Sequence, residues 1–401
     1  MDRFFCAIIE GRDRPSKGLR IMYDEIIAWR RDLHAHPELR YELPRTSSFV
    51  ADKLRAFGCD SVTEGVGISG VVGVIAGKSR PSGKVIGLRA DMDALPIEET
   101  TGLSYASQIP GRMHACGHDG HTAMLLGAAR ALADTRNFDG TAVLIFQPAE
   151  EGGAGAKAMC DDGLMSRWGI EKVFALHNEP GLPIGHFATR MGPFGAAVAS
   201  FRITIEGKSA HAASPQAGAD TLLPAANILI ALQTIIARNV HPLKSGVINI
   251  GLLNGGGSGA VIPQSTLMRG TARWFDPEVR DMMQQRITEI SEGIAASYGA
   301  AATVKFRSLY PVVVNHPAET ALAAAVAHDI MEAVDAEHPQ LMGSEDFAFM
   351  LEERPGNIAL IGNGDTASLH DASYDFNDAT IPYGVSYWTR LVETAMSINS
   401  A

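Results

Sequence analysis

Between Met113 and His121 the chain reads Met-His-Ala-Cys-Gly-His-Asp-Gly-His, which places three histidines and one cysteine within eight positions. An apolar, Ala- and Leu-rich run follows from Thr122 to Leu132 and predicts a buried helix. Thiolates and imidazoles at this density are poor packing material and good transition-metal ligands, and the interspersed glycines let the backbone bend around an ion. The plainer alternative is a helix start capped by Asp119 with unrelated histidines around it. A metal site needs further ligands from distant parts of the chain, so the two readings are separable.

At 401 residues the chain is long enough for two domains, and 46% hydrophobic with 20% charged residues is ordinary for a water-soluble globular protein. A net charge of -11 argues against nucleic acid and anionic membrane surfaces as partners, because both need a basic face. Cys6, Cys59, Cys116 and Cys160 are too few and too scattered for a disulfide framework, which points to a reducing compartment, the cytoplasm. The apolar patch Phe4–Ile9 is too short for a signal core or a membrane span, and residues 1–20 read as an extension without assigned role.

In chain order, Ile21–Leu33 predicts a helix stopped by Pro37, with His34 and His36 expected as surface or capping residues. A second helix is expected over Thr46–Phe57, followed by strands near Val62 and over Val71–Ala76. Gly65-Val-Gly-Ile-Ser-Gly70 matches a dinucleotide fingerprint in letters only, since no helix follows it to hold a pyrophosphate. Gly77-Lys78-Ser79 and Gly207-Lys208-Ser209 lack the upstream glycine of a phosphate loop.

From Lys84 a pattern repeats. Val85–Ala90 is a buried-type strand ending at Asp91-Met92-Asp93, Thr141–Phe146 another ending at Glu150-Glu151, Lys172–Leu176 a third ending at His177. Asn357–Ile361 is a fourth, with His370 a loop's length beyond. Helical runs at Thr122–Leu132 and Gly155–Cys160 alternate with these strands, the signature of a parallel-type α/β sheet whose ligands bind at the carboxyl ends of the strands. Taken singly, the acidic pair could be solvated and each histidine a hydrogen-bonded loop residue. Taken together, Cys116, His118, Glu151, His177 and His370 supply the donors that two closely spaced ions need, and one carboxylate of the acidic pair remains to move a proton.

The segments Trp29–Glu38, Leu88–Pro96, His114–His121, Phe146–Gly152, Gly343–Phe347 and Leu369-His370 resemble, in combination, the dinuclear metallo-amidohydrolases and carboxypeptidases that include aminoacylases, hippurate hydrolase and the plant auxin-conjugate hydrolases. The Cys-Gly-His-Asp form is similar to the hippurate hydrolase branch. That resemblance implies Cys116, His118, Glu151, His177 and His370 as ligands of two divalent ions per subunit, Glu150 as general base, and Asp93 as the residue that orients a neighbouring ligand. Mn or Zn are the foremost metals, with Co or Ni also compatible with the donor set. Asp91 stands where other branches place a ligand histidine, and is expected at most in a supporting role.

The middle of the chain differs in kind. A strand over Ala197–Glu206, a helix over Thr221–Arg238, strands over Ser245–Leu253 and Ser265–Phe275, a helix over Pro277–Ser297 and a strand over Ala302–Arg307 spell β-α-β-β-α-β, a ferredoxin-like unit. The expected organisation is therefore an α/β metallo-hydrolase catalytic domain built from residues 1–194 and 309–401, with a domain of residues 195–308 inserted in it. By resemblance the insert is a lid and dimerisation domain, which implies a homodimer or a dimer of dimers, with His211 and Arg273 as substrate-binding residues. The glycine run Gly255–Gly259 reads by itself as a flexible hairpin connection, and Ala260 stands where relatives commonly have Asn. The activity expected is metal-dependent hydrolysis of the amide of an N-acyl amino acid. A dipeptidase or carboxypeptidase with the same dinuclear site and a catalytically inactive metal-binding regulator are the alternatives.

Overall fold

The computed structural model describes residues 17–398, so the patch Phe4–Ile9 lies outside the described residues. The chain forms two compact units: one from the segment up to Phe194 with Val314–Pro339 and the segment from Asp346 on, the other from Gly195–Val313 with Gln340–Glu345.

The first unit is built on an eight-stranded sheet, counted among the described residues, in the order Ser61–Val66, Gly70–Ala76, Thr141–Gln147, Val85–Asp91, Lys172–Glu179, Gly356–Gly362, His186–Ala188, Ala333–Asp335. Its centre is parallel: Val85–Asp91 pairs in parallel with Thr141–Gln147 and with Lys172–Glu179, and Gly356–Gly362 pairs in parallel with Lys172–Glu179. Gly70–Ala76 pairs antiparallel with both Thr141–Gln147 and Ser61–Val66, so the sheet is mixed and not wholly of the parallel type. Continuous apolar runs such as Thr-Ala-Val-Leu-Ile-Phe, buried from Ala142 onward, are what a strand covered on both faces requires.

The helix that follows the Cys/His motif runs His118–Thr135, four residues earlier than the apolar run alone indicates, so His118 and His121 lie in its first turn. It is buried nearly all round, with Ala123, Met124, Leu125, Leu126 and Leu132 inaccessible to solvent. Each such Leu or Met contributes about 1.5–3 kcal/mol of burial. It packs against helices Lys17–Ala35 and Ile381–Ala395, and the approach is close enough that a Cβ on Gly127 would lie 2.7 Å from both Ile26 Cδ1 and Val385 Cγ2.

The second unit has an antiparallel sheet in the order Gly246–Gly255, Ser265–Trp274, Ala197–Glu206, Ala301–Tyr310, the strand order of a ferredoxin-like βαββαβ unit. Its first helical stretch divides at Gln233 into Leu222–Leu232 and Thr234–Asn239. Phe201, Ile203, Ile228, Leu232, Met268 and Met283 give this unit a core of its own.

Ions as well as hydrocarbon are buried in the first unit. Arg30 is fully buried, with Nε 2.9 Å from Asp119 Oδ2, Nη1 3.5 Å from Asp378 Oδ1 and Nη2 bonded to Asp375. His34, expected at the surface, is also fully buried: Nδ1 lies 2.8 Å from Asp119 Oδ2 and Nε2 3.4 Å from Glu99 Oε1. His36 does behave as a cap, its Nδ1 2.8 Å from the carbonyl of Asp32. Burial disfavours the imidazolium of His34, but Asp119 and Glu99 outweigh it and push the pKa up to about 9. A histidine with a folded pKa above its unfolded value near 6.5 stabilises fully below that value, and the contribution is lost as pH rises through about 9. Unfolding free energy from urea titrations should therefore fall by roughly 2–3 kcal/mol between pH 6.5 and 9.5 in wild type, and the slope should flatten in His34→Gln. An equal slope in the variant would show that His34 does not carry the charge.

Candidate metal centre

The four parallel strands carry the acidic and imidazole groups to one edge. Val85–Asp91 ends in Asp91, two residues before Asp93; Thr141–Gln147 leads into Glu150 and Glu151; Lys172–Glu179 carries His177 and Asn178 within the strand; and the loop beyond Gly356–Gly362 carries His370. Cys116 and His118 join them from the start of the helix.

The acidic pair sits in a distorted turn. Ala149 is left-handed at φ 54° and Gly152 at φ 75°, while Glu151 departs from helical geometry at ψ 74°. Asp93 holds this turn by accepting the amide of Glu150 at Oδ1, 2.9 Å, and that of Glu151 at Oδ2, 3.1 Å. Its backbone carbonyl lies 2.7 Å from His118 Nδ1. One residue thus orients both carboxylates and one imidazole.

Three groups of potential ligand atoms lie wholly within the first unit, the atoms of each within 4.8 Å of one another: Cys116, Glu151 and His370; His118, Glu150 and Glu151; and Asp91, His118, His121 and His177. His370 Nε2 lies 3.2 Å from Glu151 Oε1, and Cys116 Sγ 3.5 Å from His177 Nε2. His177 Nδ1 is 2.7 Å from the carbonyl of Asn178, so it carries the proton and Nε2 keeps the lone pair. The contact of His118 Nδ1 with the Asp93 carbonyl does the same for His118 Nε2. His121 is different: the amide of Asn178 donates to its Nε2 at 2.9 Å, which leaves the proton on Nδ1 facing Asp91 Oδ1 at 2.6 Å. Both nitrogens of His121 are engaged, so it orients Asp91.

Burial and neighbouring charges pull the titratable groups of the site in opposite directions. Burial would raise Asp91, but Arg89, with Nη1 2.8 Å away, and His118 and His121 hold its carboxyl well below the usual range. Burial resists protonation of His118, yet Asp91 and Cys116 raise its pKa well above the ordinary value. Hydrogen bonds to Cys116 and Glu151 push His370 up to about 10, whereas burial pushes His177 down to about 3. Burial also raises the Cys116 thiol. His118 Nε2 is buried without a hydrogen-bond partner, and Glu151 Oε1 is buried with the His370 imidazole beside it. Soft sulfur, imidazole and carboxylate donors aimed inward with unsatisfied atoms suit a divalent transition metal.

Glycine makes the motif possible. Gly117 has φ 88°, and a Cβ there would lie 1.9 Å from Asn178 Oδ1 and 2.6 Å from Tyr374 Oη. His114 is buried outside these groups, its pKa pushed down to about 3 by burial.

Sequence reasoning passed over His121, although its spacing of three from His118 puts both on one helix face once the helix is started at His118. Asp91, expected at most in a supporting role, is fully buried and lies 3.5 Å from His118 Nε2. Arg89, which links Asp91 to Gln147 Oε1 at 2.8 Å and to Asp346 Oδ1 at 3.2 Å, had no local signal. His211 and Arg273 belong to the second unit. His211 is exposed in the short strand Ala210–His211, and its Nδ1 accepts the amide of Ala213 at 3.0 Å. Arg273 is half-buried and donates from Nη1 to the carbonyl of Met342 at 2.6 Å and to Ser344 Oγ at 2.9 Å. It is therefore no plain surface arginine.

A central parallel sheet with this donor set at its carboxyl edge defines a metal-binding hydrolase class. The sequence profile of Peptidase family M20/M25/M40 matches residues 87–394, and the chain belongs to that family. It is 42% identical over 364 residues to the N-acetyl-L-cysteine deacetylase of Bacillus subtilis (strain 168), covering 90% of this chain and 86% of the relative. It is 39% identical over 364 residues to the hippurate hydrolase of Campylobacter jejuni, covering 90% and 94% of the two chains. Among solved structures, the Bacillus subtilis YXEP protein, described as a dinuclear metal binding peptidase from the M20 family, superposes with a TM-score of 0.79 at 33% identity, over 94% of this chain and 99% of that one.

The Gly117→Ala variant should lose bound metal, measured by elemental analysis after dialysis, because the added methyl displaces Asn178 and Tyr374. Gly58→Ala is the control: its φ is 79° with nothing within 4 Å of a Cβ, so it should cost only about 1–2 kcal/mol of left-handed strain and leave metal content intact. Full metal content in Gly117→Ala would contradict the tight fit.

Proposed function

We propose that this chain hydrolyses the amide bond of N-acyl amino acids at a dinuclear metal centre. Cys116, His118, Glu151, His177 and His370 would hold two divalent ions, Mn or Zn foremost. Those ions, when bound, supply Lewis acidity that polarises a carbonyl and acidifies water. Glu150 accepts the proton of the attacking water on its carboxylate and passes it to the leaving nitrogen. Asp93 keeps Glu150 and Glu151 in register for their separate tasks through the two amide bonds it accepts.

The observation that carries the reading is the division of this acidic pair. Glu151 shares with Cys116 and His370 a group that Glu150 does not enter, while both carboxylates lie near His118, which supports Glu151 as the ligand and Glu150 as the proton carrier beside it. Two inferences concern the second unit. Arg273, with one arm of its fork anchored, binds the substrate carboxylate. His211, whose Nδ1 accepts a backbone amide and so leaves the proton on Nε2, would donate to the developing oxyanion in the site of a second copy of the chain. The strand Gly246–Gly255 forms an edge of its sheet and exposes Val247, Leu252 and Leu253, with Leu222, Leu223 and Ile230 exposed on the preceding helix. Such an apolar edge supports a homodimer through this unit, or a dimer of dimers. Cys59, Cys116 and Cys160 are unpaired, which supports a cytoplasmic setting, and no helix of the described residues is long and apolar enough to cross a membrane.

A dipeptidase or carboxypeptidase is the second reading, favoured by the description of the solved relative as a peptidase. A panel of N-acetyl and N-benzoyl amino acids against dipeptides, after reconstitution with each metal, separates the two by kcat/KM. In the same assay Glu150→Gln should lose about a hundredfold or more in kcat with bound metal unchanged. Loss of metal from that variant would make Glu150 a ligand and reverse the roles of the pair.

A further inference from the structure

We propose that Arg30 is a positioning residue for the metal centre, a guanidinium clamp that fixes the start of the helix presenting His118 to the loop that follows His370. This inference rests on the reading of His118 and His370 as ligands.

Arg30 reaches three carboxylates from two segments remote in sequence. Nε meets Asp119 Oδ2 at 2.9 Å, on the residue next to His118. Nη2 bonds Asp375 and Nη1 lies 3.5 Å from Asp378 Oδ1, both in the segment that follows His370. The rings of Tyr105 and Phe376 lie with their centroids 5.0 and 5.7 Å from the guanidinium carbon, which limits its freedom to tilt. His34 Nδ1 hydrogen-bonds the same Asp119 oxygen that Arg30 Nε faces as an ion pair, so that carboxylate is held from two directions.

The near end of the loop is tied to the same place. The amide of His370 donates to the carbonyl of Ala115 at 2.7 Å, and His370 itself is left-handed at φ 66°. Tyr374, whose amide closes a turn onto the carbonyl of Asp371 at 3.0 Å, accepts a hydrogen bond from Asn178 Nδ2 at 2.8 Å. The loop is thus fastened at His370 and at Tyr374, and Arg30 supplies the fastening at Asp375 by a hydrogen bond from Nη2, while Asp378, 3.5 Å from Nη1, is hydrogen-bonded by Arg31.

Energetics favour a geometric role. Burying a guanidinium and its carboxylates costs about as much as the attraction between them returns, and apolar replacements of similar volume are often as stable. A planar fork does what a hydrocarbon cannot: it sets the distance and angle between two peptide segments. Metal affinity depends on such spacing, and loss of a residue that orients ligands typically weakens it about 10–100-fold.

The test uses the full-length protein stripped of metal, with Kd for Zn measured by competition against a chromophoric chelator. Arg30→Lys keeps the charge and loses the fork, Asp375→Asn weakens the loop side alone, and Arg31→Met removes the exposed partner of Asp378, 2.7 Å away, as a control. Folded Arg30→Lys and Asp375→Asn are expected to bind Zn about 10–100-fold more weakly, with kcat restored at saturating metal and substrate KM unchanged. Arg31→Met should bind as wild type does. Unchanged Kd in Arg30→Lys or in Asp375→Asn, with only a lowered melting temperature, would overturn the clamp and leave a purely structural role. Wild-type protein that binds no Zn would instead sink the ligand reading on which the clamp rests.

Discussion

Asp91, Asp93, Glu150, Glu151, Cys116 and the imidazoles of His118 and His177 are gathered at one edge of an apolar sheet, and burial penalises every charge among them. Hydrogen bonding inside the protein relieves part of this: Arg89 on Asp91, two amides on Asp93, two backbone carbonyls on the imidazoles. What it leaves unrelieved includes His118 Nε2, buried without a hydrogen-bond partner beside the acidic pair. The rest of the first unit is arranged to keep that deficit in place. Parallel pairing aligns the strand ends, glycine at 117 lets the helix begin against Asn178, and the left-handed Ala149 turns the acidic pair toward the centre.

Much of this was legible in the sequence because the signals were local and reinforcing. Four apolar runs each led to an acidic residue or a histidine, and strand polarity alone then implied that they meet. The ferredoxin-like order of the insert was readable from alternation and helix spacing. What was not legible depends on tertiary contact. Nothing near Arg89 says that its guanidinium spans Asp91, Gln147 and Asp346, and nothing near Asn178 says that its backbone amide fixes the tautomer of His121. His34 was misread for a related reason: a histidine beside a proline at a helix end is usually exposed, and only its contacts with Asp119 and Glu99 make burial tolerable. The apolar run alone marks the helix from Thr122, and the polar first turn His118–His121, just after Gly117, carries no apolar periodicity to reveal it.

Division of labour between the two units follows from their chemistry. The first unit holds every group of clustered ligand atoms named above, on rigid strand ends and a buried helix. The second has its own core and offers an exposed sheet edge, an anchored arginine and an exposed histidine with a free donor. The relatives the chain is similar to include both a deacetylase and a hippurate hydrolase.

The central claim is that two ions sit at this edge with Glu151 as a ligand and Glu150 beside them. Anomalous diffraction from crystals of the Zn-loaded protein tests it directly. The account predicts two peaks about 3.5–4 Å apart. They should lie within bonding distance of Cys116, His118, Glu151, His177 and His370, with no bond to Glu150. A single peak, or a pair whose ligands include Glu150 but omit Cys116, would contradict it.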